Sequence, residues 1–498
     1  MFDADAATLA ASPFRADRVY AEKCTQPDTA SGGFDEHLRE YVATIQRRPL
    51  QHGKMLILRD DFRGVGLGHQ LVMPRIALWL GLATRRATFI QKCDPYATSG
   101  TERVPRCSEP HFSIADYFRL RHNGSMAWTP EIEIATRNLS RATVWKTNWT
   151  EIFDGDARDA SVVTVRAFFS EGTAQSFRDQ LWTRSEFRRS KNSNTNLLFH
   201  GAFHDCSGYA ATRPTERTAA LIAPVLPALR VARHRVGLHL RTLASDSPQC
   251  FPPTTAPDRE SIDAAFGNDV CMRTIFDHWR WKLVPTGAQT DIACNETKHL
   301  ADVFPLSRWL PCAAGLFADG GGNGTVVFLT TDAPAVYRYA ERHGAAAVAP
   351  ATLVMLPGGE RAIGHTGARP ERPRRKGAAP TPIDSHPDPH AVFARGAADW
   401  TLLSLCDAML GPVQSFFARS ACEARAMEPS CHVFEPLKQM NQRLVGSKQV
   451  GTCPLSRCFP SALLQPPHKA GQCARCAWHY EYMGRRIRRS TVESPTVA

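Results

Sequence analysis

Arg235-Val236-Gly237-Leu238-His239-Leu240-Arg241-Thr242 is the stretch from which the fold of this chain can be read. Val236, Leu238 and Leu240 alternate with Gly237, His239 and Arg241, a period of two that predicts a short strand. After Thr242 the apolar pattern stops, and Ala244-Ser-Asp-Ser-Pro248 reads as loop. A His and an Arg therefore leave the strand together at its carboxyl end, the end at which open α/β sheets bind ligands. An arginine there suits a phosphate-bearing ligand, because its planar guanidinium is always charged and donates two parallel hydrogen bonds. The alternative is an edge strand whose polar face meets solvent.

Working outward, Thr325-Val-Val-Phe-Leu-Thr-Thr331 predicts a second strand, ended by Asp332-Ala-Pro334 and followed by a helix from Ala335 to Arg342. Asp332 stands at a strand's carboxyl end, where it also suits a helix N-cap. Ala346 to Val348 reads as the start of a further strand. Asp399 to Asp407 has helical period, Ala408 to Gly411 reads as a short strand, and Pro412 to Ala421 opens another helix. Ser415 sits where helix-start amides and a hydroxyl can meet a phosphate, or where a serine simply caps. Toward the amino terminus, Met55-Leu-Ile-Leu58 is an apolar run fit for a buried strand. It leads through Gly64-Val-Gly66-Leu-Gly68-His69 to a helical segment, Leu71 to Leu82, and a strand at Thr88 to Ile90. This is a βαβ unit, so both halves predict an α/β architecture. The glycine spacing is neither the dinucleotide fingerprint nor a P-loop; it lets the backbone approach an anion or sugar closely, or simply makes a tight turn.

At 498 residues the chain exceeds what one core usually organises, and 43% hydrophobic with 22% charged residues is a globular balance. A net charge of +12 favours anionic partners. Much of the excess lies in the runs Arg369–Lys376 and Arg485–Arg489, which read as solvated charge rather than a nucleic-acid surface. Fifteen cysteines and N-x-[ST] sequons at Asn123, Asn138, Asn148, Asn295 and Asn323 predict a disulfide-bonded protein of the secretory pathway, in the Golgi or ER lumen. No segment reaches the roughly 18 consecutive apolar residues of a membrane helix, and the acidic start lacks signal-peptide order. A lumenal location therefore implies an anchor or signal not present in this sequence.

The remaining features carry two readings each. Asp154-Gly-Asp156 is a turn, or a D-x-D that holds a metal on a sugar diphosphate. Trp128, Trp145, Trp149 and Trp182 are core residues, or the lining of an acceptor cleft. Residues 357 to 390 form a Pro/Gly/Arg-rich insertion, expected to be a flexible surface loop. Cys453, Cys458, Cys473 and Cys476 in the tail pair as disulfides, or hold zinc.

In order, the glycine loop with His69, the strand ending His239-x-Arg241, the pair Thr331-Asp332 and the set Asp399, Gly411 and Ser415 resemble the GT-B fucosyltransferase superfamily of α1,6-, α1,2- and protein O-fucosyltransferases. The echo is strongest for its plant and algal O-fucosyltransferase-like members. The resemblance spans Met55 to Ala421 in patches. It implies two Rossmann-like domains facing across a cleft: 51–230 on the acceptor side and 231–440 binding the nucleotide sugar. A lead-in, 1–50, precedes them and a Cys-rich basic tail, 441–498, follows. It further implies transfer of fucose from GDP-fucose to a glycan or glycoprotein hydroxyl with inversion, without a metal and with no other cofactor. Arg241 would bind the diphosphate, and His239 would flank the nucleotide. Asp332 would contact the nucleoside, and Ser415 with Phe416 would hold phosphate and guanine. Asp399 matches an acidic position ahead of the last motif, while Gly66, Gly68 and His69 would face the donor sugar. Where the family loop typically carries Asn, this chain has His69, which, like Asp60 or Asp61, suits a catalytic base. The rival functions are a metal-dependent glycosyltransferase using Asp154 and Asp156, and a non-catalytic glycan- or nucleotide-binding relative.

Overall fold

The computed structural model describes residues 4–26, 33–60, 67–92, 113–145, 149–167, 201–240, 306–316, 324–332, 334–358, 389–412, 416–424 and 431–434. Two open sheets follow one another along the chain. The first comprises β1 (Met55–Asp60), β2 (Ala87–Lys92), β4 (Arg141–Trp145) and β5 (Val162–Ala167), in the order β2-β1-β5-β4. A two-stranded antiparallel unit pairs β3 (Phe118–Arg119) with β6 (Arg213–Pro214). The second sheet comprises β7 (His234–Leu240), β8 (Thr325–Thr331), β9 (Thr352–Val354), β10 (Ala408–Pro412) and β11 (Cys431–Phe434), in the order β11-β10-β7-β8-β9. Every described pairing within the two large sheets is parallel. Two successive parallel α/β sheets are the arrangement the sequence predicts.

The principal helices are α1 (Arg15–Cys24), α2 (Phe34–Tyr41), α3 (Leu67–Gln70), α4 (Val72–Thr84), α5 (Gly201–Ala211), α6 (Leu306–Gly315), α7 (Pro334–Val348), α8 (Pro389–Leu405) and α9 (Phe416–Glu423). Parallel strands are covered on both faces, so their sequences read as near-continuous apolar runs. Met55–Leu58 fits, with each residue at 2% exposure or less. In α4, residues 72 to 81 are all buried, and Pro74 is accommodated in the first turn, where its missing N–H has no intrahelical partner to lose. Gly81 is required there: a Cβ would fall inside contact distance of the Tyr41 hydroxyl and the Thr88 methyl.

Two elements differ from the sequence reading. Ala346–Val348 closes α7, and the strand begins only at Thr352, because the alanine-rich run favours continued helix. Pro412 ends β10 rather than opening a helix; α9 begins at Phe416. Asp154-Gly-Asp156 lies in the connection between β4 and β5, with Asp154 as the N-cap of the short helix Gly155–Asp159 and Gly155 at φ +52°. Trp128 packs against Phe89 at the margin of the core, with ring centroids 5.5 Å apart. The side chains of Trp145 and Trp149, and the whole of Trp182, lie outside the described residues, as do most of the 357–390 insertion and all the tail cysteines.

Residues before 50 are built into the core. Phe14, Tyr20, Phe34 and Leu38 are at most 1% exposed. Asp35 accepts hydrogen bonds from Tyr20 Oη (2.8 Å) and Arg121 Nε (2.7 Å), with His122 Nε2 at 3.0 Å. Burial alone would raise its pKa, but His122 and Arg121 outweigh burial and hold it well below the usual carboxylate range. Tyr20 stacks on Tyr209 of α5 at 4.3 Å, the Tyr209 hydroxyl donates to Asp17, and Cys24 forms a disulfide with Cys206. The bridge closes a separation of 182 residues. Chain-entropy reasoning puts its contribution at about 5 kcal/mol. Replacing both cysteines by serine is therefore expected to lower the denaturant midpoint substantially. An unchanged midpoint would mean that the α1–α5 contacts alone hold the segment.

Candidate functional site

The site is built on the carboxyl end of β7. The polar alternation along this strand does not face water: β7 is the central strand of its sheet, and residues 235 to 240 are all buried. The edge-strand alternative is thereby excluded. Each polar or small position on that face meets a specific neighbour instead. The Arg235 guanidinium donates to Asp407 Oδ2 (2.9 Å) and to the carbonyls of Leu229 (2.5 Å) and Ala232 (2.8 Å). Gly237 lets α8 approach, since a Cβ there would stand 2.8 Å from Leu403 Cδ2. His239 is 5% exposed, and its ring lies 5.0 Å from that of Phe417, centroid to centroid, at an interplanar angle of 34°.

The neighbouring strand adds to the same face. His239 is the register partner of Thr330 on β8, so the two side chains leave the sheet on one side. Thr330 and Thr331, which end β8, and Asp332 directly after it are all buried. Asp399 of α8 reaches this strand end beside Thr330 and is 4% exposed. Its Oδ2 lies 3.5 Å from Arg395 Nε, while Oδ1 has no hydrogen-bond partner among the described residues. Burial pushes the Asp399 carboxyl up to about 6, with Arg395 and Thr330 acting in the opposite direction. Arg395 is held in turn by the Leu356 carbonyl (2.9 Å) and the Tyr337 ring (4.9 Å).

The first sheet contributes through α3. Residues 61–66, with Gly66, lie outside the described residues, but Gly68 and His69 fall in α3, where Gly68 is buried. This short helix packs on α9 and touches α8, so the segment after β1 meets the segment after β10. The carboxyl ends of the two sheets therefore converge. Helix α8 also ties the second sheet to the β3–β6 unit through Tyr117 on Phe393 (5.2 Å) and Phe118 on Trp400 (5.2 Å).

Of the site residues read from sequence, His239 and Asp399 are linked through Thr330 at the carboxyl end of the second sheet, and Asp332 is buried directly after the end of β8. Gly68 and His69 share the helix packed on its rim; the His69 side chain lies outside the described residues. Phe416 begins α9, and its side chain is likewise outside them; its neighbour Phe417 carries the aromatic contact with His239. Arg241 and Ser415 are outside the described residues, each directly adjoining a described element, at Leu240 and Phe416. Sequence reasoning missed Phe417, Thr330 and Arg395. The signal for Arg395 was its position four residues before Asp399 in a helical stretch, which puts both on one face. For Phe417 the Phe-Phe pair left the choice open until the helix start was known.

No family model matches the chain, and no curated protein matches it. Solved structures similar to it include an Arabidopsis thaliana FUT1 mutant in complex with GDP, at 13% identity over 82% of this chain and 76% of that one, with a TM-score of 0.36. Fucosyltransferase NodZ from Bradyrhizobium is similar at 14% identity over 77% and 95%, with a TM-score of 0.33. NodZ α-1,6-fucosyltransferase co-crystallised with GDP is similar at 13% identity over 77% and 95%, with a TM-score of 0.32.

Proposed function

We propose that this chain is a lumenal, inverting glycosyltransferase that needs no divalent metal and transfers fucose from GDP-fucose to a hydroxyl of a glycan or glycoprotein. The observation that carries the reading is the polar constellation at the end of β7 and β8. There the ring of the buried His239 lies tilted against that of Phe417, and the buried Asp399 keeps one oxygen without a partner among the described residues. A buried carboxylate oxygen left unpaired is costly, and a nucleobase N–H is the kind of donor that would satisfy it. The order of motifs resembling the GT-B fucosyltransferases supports the choice of donor. The cysteine bridge and the sequons support a secretory location.

In this reading the nucleotide lies across the carboxyl end of the second sheet, with Arg241 on the diphosphate. The acceptor hydroxyl attacks the anomeric carbon from the face opposite the leaving group, the bond to the diphosphate oxygen breaks, and GDP departs with the electron pair. Arg241 offsets the charge as it develops. The hydroxyl proton passes to a base at the amino-terminal loop, with His69, Asp60 and Asp61 as the candidates.

The test is GDP binding by calorimetry over a range of pH, with donor turnover in the presence and absence of EDTA. Asp399 binds as the carboxylate, so affinity is full above about pH 7 and falls as pH drops through about 6. Asp399→Asn is expected to weaken GDP by about 10- to 100-fold, the value of a hydrogen bond to a charged group, and to flatten that pH profile. GDP affinity unchanged in this variant would remove Asp399 from the site. Turnover abolished by chelation would favour a metal-dependent enzyme, and GDP binding without turnover of any donor would favour a binding protein.

A further inference from the structure

The turn between the helix Pro130–Ala135 and β4 contains Asn138-Leu139-Ser140, an N-x-S sequon. Asn138 and Ser140 are exposed, while Leu139 packs partly against the core, so the tripeptide is pinned at its centre with the asparagine on the surface. Ser140 is tied to Ser161 at the start of β5 by two contacts, one hydroxyl to hydroxyl (3.2 Å) and one from the Ser161 N–H (2.9 Å). Two of the other sequons are less open. In Asn323-Gly-Thr325 the threonine is 2% exposed within β8. Asn123 is exposed, but its backbone is held at φ 60° and its side-chain oxygen accepts from Arg119.

The position of Asn138 gives a modification a physical task. Strand β4 is the outer strand of the first sheet and, among the described strands, pairs only with β5. Arg141 and Thr143 on it are exposed. An outer strand presents unpaired backbone donors and acceptors, a template for pairing with another chain unless something covers or blunts it. A bulky, hydrated group three residues before β4 would screen that edge.

We propose that Asn138 carries an N-linked glycan that screens the open edge of β4. The bond formed joins the Asn138 side-chain nitrogen to C1 of the first sugar. The bond broken joins that C1 to a polyprenyl-diphosphate donor, which leaves with the electron pair, and the amide proton is released to a base. The proposal rests on the secretory reading above, and its test keeps the two apart. The full chain is expressed behind a secretion leader in a eukaryotic host and treated with peptide-N-glycosidase in ¹⁸O water, and its peptides are weighed. Asn138 is expected to return as labelled aspartate, and Asn138→Gln to lose one glycan's mass while still binding GDP. The variant, and folded wild type after glycosidase treatment, are both expected to form higher-order species in light scattering at concentrations where the glycosylated protein stays monodisperse. An unmodified Asn138 peptide overturns the site, and a glycosylated Asn138 whose removal leaves the protein monodisperse overturns the screening role. Whether the natural chain is protected from protease inside microsomes is measured separately; a cytosolic chain overturns the secretory reading whatever the host experiment returns.

Discussion

Arg241→Ala is expected to lower turnover of GDP-fucose by about 10²- to 10³-fold, the range seen when one preorganised donor to a developing charge is removed. The residue follows directly on Leu240, the last residue of a buried central strand. Its expected task is to offset the negative charge that the diphosphate gains as the glycosidic bond lengthens. Arg241→Lys keeps the charge but loses the planar fork, and is expected to recover only part of the loss. In the proposed site the guanidinium also meets the ground-state diphosphate, so GDP affinity is expected to fall with turnover. If the alanine variant binds GDP and turns over donor at wild-type levels, the phosphate site lies elsewhere in the molecule.

The second large effect concerns the other end of the same strand. Arg235 is 4% exposed and Asp407 9%, and the guanidinium also satisfies carbonyls from the helix Leu226–Val231 and the residue after it. Removing one partner of a buried ion pair leaves an uncompensated charge and costs about 3–5 kcal/mol, a large share of the roughly 5–15 kcal/mol that holds a domain folded. Arg235→Ala is therefore expected to shift the denaturant midpoint sharply downward. Replacing both partners with apolar residues, Arg235→Met with Asp407→Leu, is expected to recover more than half of the loss, because the stranded carboxylate is gone. A single variant that loses less than about 1 kcal/mol, as an exposed pair would, shows that water reaches the pair.

These two arginines illustrate how far the linear pattern carried. The period-two stretch from 235 to 241 predicted a strand with chemistry at its carboxyl end, and the structure bears out the strand. It did not reveal that both faces are covered. A His, a Gly and an Arg on one side of a strand ordinarily signal solvent; here each is matched to a partner from a distant part of the chain, namely Phe417, Leu403 and Asp407. Such pairings span more than 160 residues and leave no local periodicity to read. The buried network of Asp17, Tyr20, Asp35, Arg121 and Tyr209 was illegible for the same reason, since each member looks like an ordinary surface residue until the amino-terminal helices dock.

By itself, then, the amino-acid order determined the strands that are apolar throughout, the βαβ connectivity of both halves, and the strand ends at which His239 and Asp332 stand. These follow from local propensity and burial, which act over a few residues. Only the tertiary structure decided that β7 is central, that Phe417 closes on His239 while Asp399 reaches Thr330 on the next strand, that α3 and α9 bring the two sheets' carboxyl ends together, and that the Asp399 pKa is raised. The physical reason is that sheet order, desolvation and ion pairing depend on which distant surfaces exclude water from one another, and that is a property of the packed chain.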